Sequence, residues 1–241
     1  MAPADWIKSD LHIHTLDDPK DALEYSAHEL LERARSLDFK VLAITLHDAL
    51  LDDPAVLAAA ESMGILLIPA AEMRLEGADI VLLNVRQEEI SELHNFEDVR
   101  RLRARRGSAI FTFAPHPFYL LGGSIGGRLV ELIDCFDAIE FCHFHLRWMN
   151  PNRQAVKVAQ RFGRPLLATS DAHRLQAFGQ HYTMVKHRGV LTVESFLEAL
   201  HAGPLRLTSP PSSLTEVIRL CWFLFVLHPL RMRRRHRATV S

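Results

Sequence analysis

The sequence predicts an α/β fold with a largely parallel sheet, and three observations carry that prediction. Short apolar runs alternate with amphipathic stretches along most of the 241 residues, the signature of repeated strand–helix units. Histidine and carboxylate side chains recur at or just after those apolar runs, where α/β folds collect function. A content of 48% hydrophobic and 24% charged residues suits a soluble chain with a large core. Seven or eight strands favour a closed or nearly closed barrel over an open doubly wound sheet.

Taken in order, the strand candidates are residues 7–13, 41–45, 65–69, 80–85, 109–113, 138–141, 166–169 and 182–185. A capping box at Ser26-Ala27-His28-Glu29 starts the first helix, which turns Leu30, Leu31, Ala34 and Leu37 to one face. Pro54 suits the first turn of a second helix, and Gly64 its stop. Glu76-Gly77 reads as a hairpin tip between residues 73–75 and 80–85. Helices over 153–162 and 193–201 close at Gly163 and Gly203. The Pro- and Ser-rich segment 204–213 ends the compact domain, giving a main domain at 1–208 and an arm at 209–241.

The formal charge of −1 argues against a chain-wide nucleic-acid footprint, and no dedicated nucleic-acid-binding domain is visible. Cys135, Cys142 and Cys221 form no CxxC pair and leave an odd number, which fits a reducing cytoplasm. No basic region followed by an apolar run marks a secretory signal near Met1. In the arm, the apolar run 217–230 is about 14 residues, short of the ~20 that span a bilayer. Five arginines follow within residues 231–237. One reading is a helix packed on the domain; the other is a peripheral contact, with membrane or protein, through residues 217–237.

The candidate chemistry begins at Asp10-Leu11-His12-Ile13-His14. Histidines two apart on a strand share a face, so both imidazoles reach one cation. His47, Glu72, His116, Asp171 and His173 each follow a strand candidate, as do His143 and His145. Parallel strands bring them to one rim. Imidazole and carboxylate donors suit Zn, Mn or Fe, and a carboxylate can bridge two ions that clamp a phosphoryl displacement.

These segments resemble the PHP (polymerase and histidinol phosphatase) superfamily of metal-dependent phosphoesterases, over roughly residues 8–208. The resemblance rests on Asp10-Leu11-His12-Ile13-His14-Thr15, Ala43-Ile44-Thr45-Leu46-His47, Pro69-Ala70-Ala71-Glu72, Pro115-His116-Pro117 and Ser170-Asp171-Ala172-His173. It implies a distorted seven-stranded β/α barrel with the metal site at the C-terminal ends of the strands. It further implies two or three divalent ions held by His12, His14, His47, Glu72, His116, Asp171 and His173. The expected activity is hydrolysis of a phosphomonoester or phosphodiester, small molecule or nucleotide, by a metal-activated water. Asp171 is the expected catalytic carboxylate, and His145 or His143 the expected acid for the leaving group. Arg74, Arg147 and Arg86 are candidates for holding phosphate oxygens.

The chain departs from the family pattern in places. Leu46 replaces the usual Asp of the second motif, with Asp48 nearby, and Ala70 replaces a Gly. Asp79 stands where relatives carry a metal-binding His, and the acidic ligand after the first motif is one of Asp17, Asp18 or Asp21. Two rivals stand beside the phosphoesterase: an amidohydrolase-like enzyme of a C–N bond, and a non-catalytic metal-binding scaffold. Residues 100–106 read as a solvated helix face, and Gly122–Gly127 as a loop near the site. His28, His94, His181, His187 and His201 read as surface residues.

Overall fold

The first parallel pair sets the frame: β1 (Asp5–Ile13) runs beside β2 (Val41–His47), with α1 (Ala27–Ser36) crossing between them. The capping box forms as the sequence predicts, Ser26 and Glu29 each bonding the other's backbone. This computed structural model describes residues 5–119, 122–222, 226–227 and 229–233. After α2 (Pro54–Ser62), β3 (Leu66–Leu67) and β4 (Ala70–Leu75) both pair parallel with β2, interrupted where Pro69 removes a donor. The hairpin at Glu76-Gly77 returns the chain as β5 (Ala78–Leu83). Then come α3 (Gln87–Ser91), α4 (Phe96–Arg106), β6 (Phe111–Ala114), β7 (Ala138–Phe141), α5 (Asn152–Phe162) and β8 (Leu166–Ala168). Next come β9 (Tyr182–His187), α6 (Val193–Ala202) and β10 (Leu205–Thr208).

The sheet order is β10-β9-β1-β2-β4-β5-β6-β7-β8, with β3 beside β2. It is mixed rather than largely parallel, because β5 and β9 run against their neighbours. The ends nearly meet and make the expected barrel, with more strand segments than the seven expected. Two contacts draw the seam together. The Thr183 hydroxyl of β9 accepts from Ala168 N at 2.9 Å and donates to Ala168 O at 2.8 Å. Above them the chain after β8 reaches β1, where Asp171 N donates to His12 O at 2.9 Å and Ile13 bridges Ala172. β10 escaped the sequence reading because Pro204 and the Ser/Pro run beyond it read as a loop.

Strand alternation divides the apolar residues into an interior and two outer layers. Leu11, Val41, Ala43, Val81, Phe111 and Phe113 fill the barrel with Phe196 and Leu200 of α6. Leu42, Ile44 and Leu46 point the other way and pack with Leu30, Leu31 and Val56 of α1 and α2. On the opposite side, Met73, Ile80, Leu82 and Ile139 pack with Phe96, Val99 and Ala155 of α4 and α5. Two expected surface histidines are buried: His181 bonds Ser209 Oγ at 2.9 Å and His187 bonds Ser195 Oγ at 3.0 Å. The arginine run of α4 is only partly a solvated face. Arg103 forks onto Asp137 at 2.5 and 2.6 Å, and Arg106 reaches Glu89 at 2.6 Å.

In the arm, Ser213 caps α7 (Leu214–Trp222), its hydroxyl accepting from Glu216 N at 3.2 Å. Ser212 N holds this segment to His145 O at 2.8 Å. Among the described residues, no helix is long and apolar enough to cross a membrane. Arg234–Arg237 of the basic run and the Cys221 side chain lie outside the described residues; Cys135 and Cys142 are buried free thiols.

Candidate metal centre

A break in β1 decides which side chains form the centre. Its pairing with β2 shifts between Asp10 and Ile13, the mark of a bulge. Leu11 therefore belongs to the interior, Ile13 to the α1–α2 layer, and His12 and His14 rise together at the rim. Unbroken alternation would have put the two histidines opposite Leu11. On β2 the alternation is regular: Ala43 lies inside, Thr45 secures Ile13 at 3.2 Å through its hydroxyl, and His47 ends the strand. Leu46 faces α1 and α2, so its departure from the family pattern removes no donor from the rim.

Glu72 on β4 is the hub, buried to 2% exposure. Its Oε2 lies 3.4 Å from His12 Nε2, 3.2 Å from His14 Nε2 and 3.2 Å from His47 Nε2. Its Oε1 lies 3.3 Å from His116 Nε2. Asp171 Oδ1 completes the far side, 3.6 Å from His12 Nε2 and 3.5 Å from His14 Nε2. Three overlapping donor groups result: His12–His14–Asp171, His12–Glu72–His116 and His14–His47–Glu72. Within each group the ligand atoms lie within 4.8 Å of one another. His173 stands at the outer corner, its Nε2 3.0 Å from Asp21 Oδ2 and its Nδ1 3.4 Å from Asp171 Oδ1.

Behind the donors, carboxylates fix the rings. Glu140 Oε1 takes His12 Nδ1 at 3.1 Å, while Oε2 accepts from His116 N and the Thr169 hydroxyl donates to Oε1. Asp18 Oδ2 takes both His14 Nδ1 at 3.2 Å and His47 Nδ1 at 2.8 Å. A ring that gives its Nδ1–H to a carboxylate presents a bare Nε2 lone pair. Here two such atoms, on His12 and His14, face each other at 3.2 Å. Acceptors gathered around Glu72 oxygens need a cation between them, so the donor set fits divalent metal. Asp10 ties the rim together differently: its Oδ1 accepts from Ser170 N at 3.1 Å, and burial pushes its carboxyl up to about 7.

The electrostatics follow from this packing. Burial opposes charge on His12, yet Asp171, Glu72 and Glu140 raise it well above the usual histidine range. Burial likewise lowers His116, and Glu72 more than offsets this to bring it to about 9. Burial would lift the Glu72 carboxyl, but His12, His116 and His14 hold it well below the usual carboxylate range. Two of the rim residues, His116 (φ 30°) and Asp171 (φ 45°), occupy the left-handed region, a strain of about 1–3 kcal/mol each. Backbone bonds from His116 N to Glu140 and from Asp171 N to His12 O hold both in place.

All seven expected ligands therefore converge, His173 through Asp171 and Asp21. The remaining expectations fare differently. Of the three acids after the first motif, Asp17 takes the Thr15 hydroxyl at 2.9 Å, Asp18 orients two rings and Asp21 meets His173. Asp79 and Arg74 engage each other at 2.6 and 2.8 Å, which leaves Asp79 outside the donor groups. Gly123 closes over that pair, where a Cβ would lie 1.7 Å from Asp79 Oδ2. Arg86 sits before α3, and Arg147 is exposed outside the cavity lining.

A cavity of about 450 Å3 opens onto Asp171, His116 and His173, walled by His143, Arg174 and Arg219. His145 is not in its wall: it bonds Cys142 O at 3.3 Å with its ring edge against Phe141. The segment after β7 is irregular, so the two-residue period that paired His143 with His145 does not apply there. Sequence reasoning missed Glu140, Arg174 and Arg219. Glu140 carried one signal, a carboxylate inside an otherwise apolar strand.

Comparisons with known proteins agree with this architecture. A family model described as PHP-associated matches residues 150–205, from before α5 to the start of β10. No curated protein matches the chain. A two-domain protein from Bacteroides vulgatus, containing a predicted PHP-like metal-dependent phosphoesterase, is similar at a TM-score of 0.66 and 17% identity. The match covers 86% of this chain and 67% of that one. PsfC from Pseudomonas syringae matches at 0.64 and 14% identity, over 92% of this chain and 98% of its own. The lesion-specific endonuclease PfuEndoQ from Pyrococcus furiosus matches at 0.62 and 14%, over 90% and 66%. The chain thus spans about two thirds of the Bacteroides and Pyrococcus proteins. Fold, strand-end donors and the PHP-associated match together bear out the resemblance to the PHP superfamily that the motifs carry.

Proposed function

We propose that this chain is a metal-dependent phosphoesterase, hydrolysing a phosphomonoester or phosphodiester with a metal-activated water. One observation carries the reading: Glu72 lies between four imidazoles, two donor groups sharing it as a bridging ligand would be shared. His12, His14, His47, Glu72, His116, Asp171 and His173 would hold two or three divalent ions, Zn, Mn or Fe. Such ions supply Lewis acidity, activating water and neutralising phosphoryl charge. Asp171 is the most exposed carboxylate of the donor groups, 16% against 3% for Glu72, and faces the cavity. In this reading it would orient the attacking water and accept its proton. Arg174 and Arg219 border the same space and suit phosphate oxygens better than Arg74, which is committed to Asp79.

For the leaving group, the acid passes from His145 to His143, the one that borders the cavity. Burial lowers His143 below the usual histidine range, so it needs a bound phosphate's charge to hold a proton. The endonuclease likeness supports a nucleotide among the candidate substrates. The lysines on the strands point elsewhere, Lys8 Nζ donating to Leu37 O at 3.0 Å and Lys186 standing exposed on β9, which disfavours an amidohydrolase built on a carbamylated lysine.

Metal analysis combined with assays on phosphomonoester and bis-phosphoester substrates tests the proposal. Turnover that chelation abolishes and added metal restores is expected, and His12→Asn or Asp171→Asn should lower it at least ~100-fold. Bound metal without turnover on either substrate would reject the phosphoesterase reading; near-normal activity in both variants would reject the site.

A further inference from the structure

The arm has a composition the hydrolytic centre does not explain. Residues 217–241 contain six arginines (Arg219, Arg231, Arg233, Arg234, Arg235 and Arg237) and no acidic residue. Arg219 lies within the apolar run 217–230 and the other five follow it, and the described apolar side chains do not all pack away. Ile218 and Trp222, one turn apart on α7, are 59% and 58% exposed, and Leu230 is 50% exposed. The same helix borders the metal-facing cavity through Glu216 and Arg219. A second cavity of about 450 Å3 lies between the arm and the domain, lined by Tyr25, Arg174, Ile218, Trp222 and Leu227. It shares His173, Arg174 and Arg219 with the first.

We propose that this arm docks the protein on an anionic lipid bilayer. Ile218, Trp222 and Leu230 enter the interface, and Arg233, Arg234, Arg235 and Arg237 meet the headgroup charge, while Arg231 pairs with Glu24 of the domain and Arg219 borders the cavity. Charge complementarity selects this occupant, since a segment of pure positive charge meets a negative surface. The apolar half selects it over nucleic acid: phosphates would satisfy the arginines and leave Ile218 and Leu230 in water. A tryptophan beside arginines is the side-chain pair that settles at the headgroup level, and a run of about 14 apolar residues lies in an interface rather than crossing it. Docking would set the mouth of the metal cavity beside the lipid headgroups, because α7 forms part of both. The proposal rests on the arm alone and stands or falls apart from the phosphoesterase reading.

Co-sedimentation of the full chain with vesicles tests it, using phosphatidylcholine alone or mixed with phosphatidylserine. Recovery with the phosphatidylserine vesicles, weak recovery with phosphatidylcholine, and loss at high salt are expected. Replacing Arg233, Arg234, Arg235 and Arg237 by Gln should weaken partitioning about fivefold per charge. Ile218→Glu with Trp222→Glu should abolish it at unchanged circular dichroism, since both side chains are exposed. Tryptophan emission should shift to the blue on the anionic vesicles, and the shift should be lost in Trp222→Phe. Equal recovery with both vesicles, or none, would overturn the proposal. So would a dimer that Ile218→Glu dissociates, or oligonucleotide binding that displaces the vesicles and survives Ile218→Glu with Trp222→Glu.

Discussion

At the scale of single residues, the account turns on carboxylates that face imidazoles from behind. Glu140 touches no expected ion position, yet it sets the ring of His12, the backbone of His116 and the hydroxyl of Thr169. Glu140→Gln keeps the shape but removes the charge that leaves His12 Nε2 bare. Metal affinity should fall about 10–100-fold, read by competition with a chromogenic chelator. Protons and metal also compete for the same atoms. His116 in the metal-free site holds its proton up to about 9, because the Glu72 carboxylate outweighs its burial. At pH 7 metal must displace that proton, so affinity should rise with pH up to about 9. Calorimetry in buffers of different ionisation heat should register proton release; none would mean that His116 is not a ligand. The ligand types were readable in the sequence because each stands at the end of an apolar run. Glu140 was not, since a lone glutamate in a strand reads as an exposed face until its neighbours are known.

At the scale of elements, strand ends carry the chemistry and two irregularities aim it. The bulge in β1 lifts His12 and His14 to the rim, and the positive φ of Asp171 turns the chain after β8 toward them. Neither was legible. A bulge leaves no mark in Asp10-Leu11-His12-Ile13-His14, and the two-residue period that found the pair is the rule this strand breaks just before it. Mixed strand direction was legible in part: the Glu76-Gly77 hairpin turns β5 back along β4, whereas β9 reads like any apolar run. Thr183 holds the barrel seam with two hydrogen bonds to Ala168. Thr183→Val preserves volume and strands a buried N–H, which should cost about 2 kcal/mol in urea denaturation. A loss under about 0.5 kcal/mol would mean that the seam is held elsewhere.

At the scale of the molecule, the interior of the barrel is apolar below and polar above, along the same inward face. Leu11, Val41, Ala43 and Phe113 fill the lower part, and His47, Glu72 and Glu140 continue their strands at the top. Sequence alternation conveyed the fold class and the rim; it did not convey that the arm borders the cavity, because that contact links residues far apart in the chain. Burying several carboxylates and imidazoles together also ties folding to the ions. Ions at about a thousand times their dissociation constant add about 4 kcal/mol of stability, so chelation should lower the thermal midpoint by about 10 °C. An unchanged midpoint after chelation would argue that the rim is satisfied without metal. The most direct test is the metal content per chain, measured by inductively coupled plasma spectrometry on the purified protein and on Glu72→Ala. The account predicts two or three equivalents of divalent metal in the former and no more than one in the latter. A metal-free protein after growth and dialysis with Zn, Mn and Fe would contradict it, as would a variant that keeps the full complement.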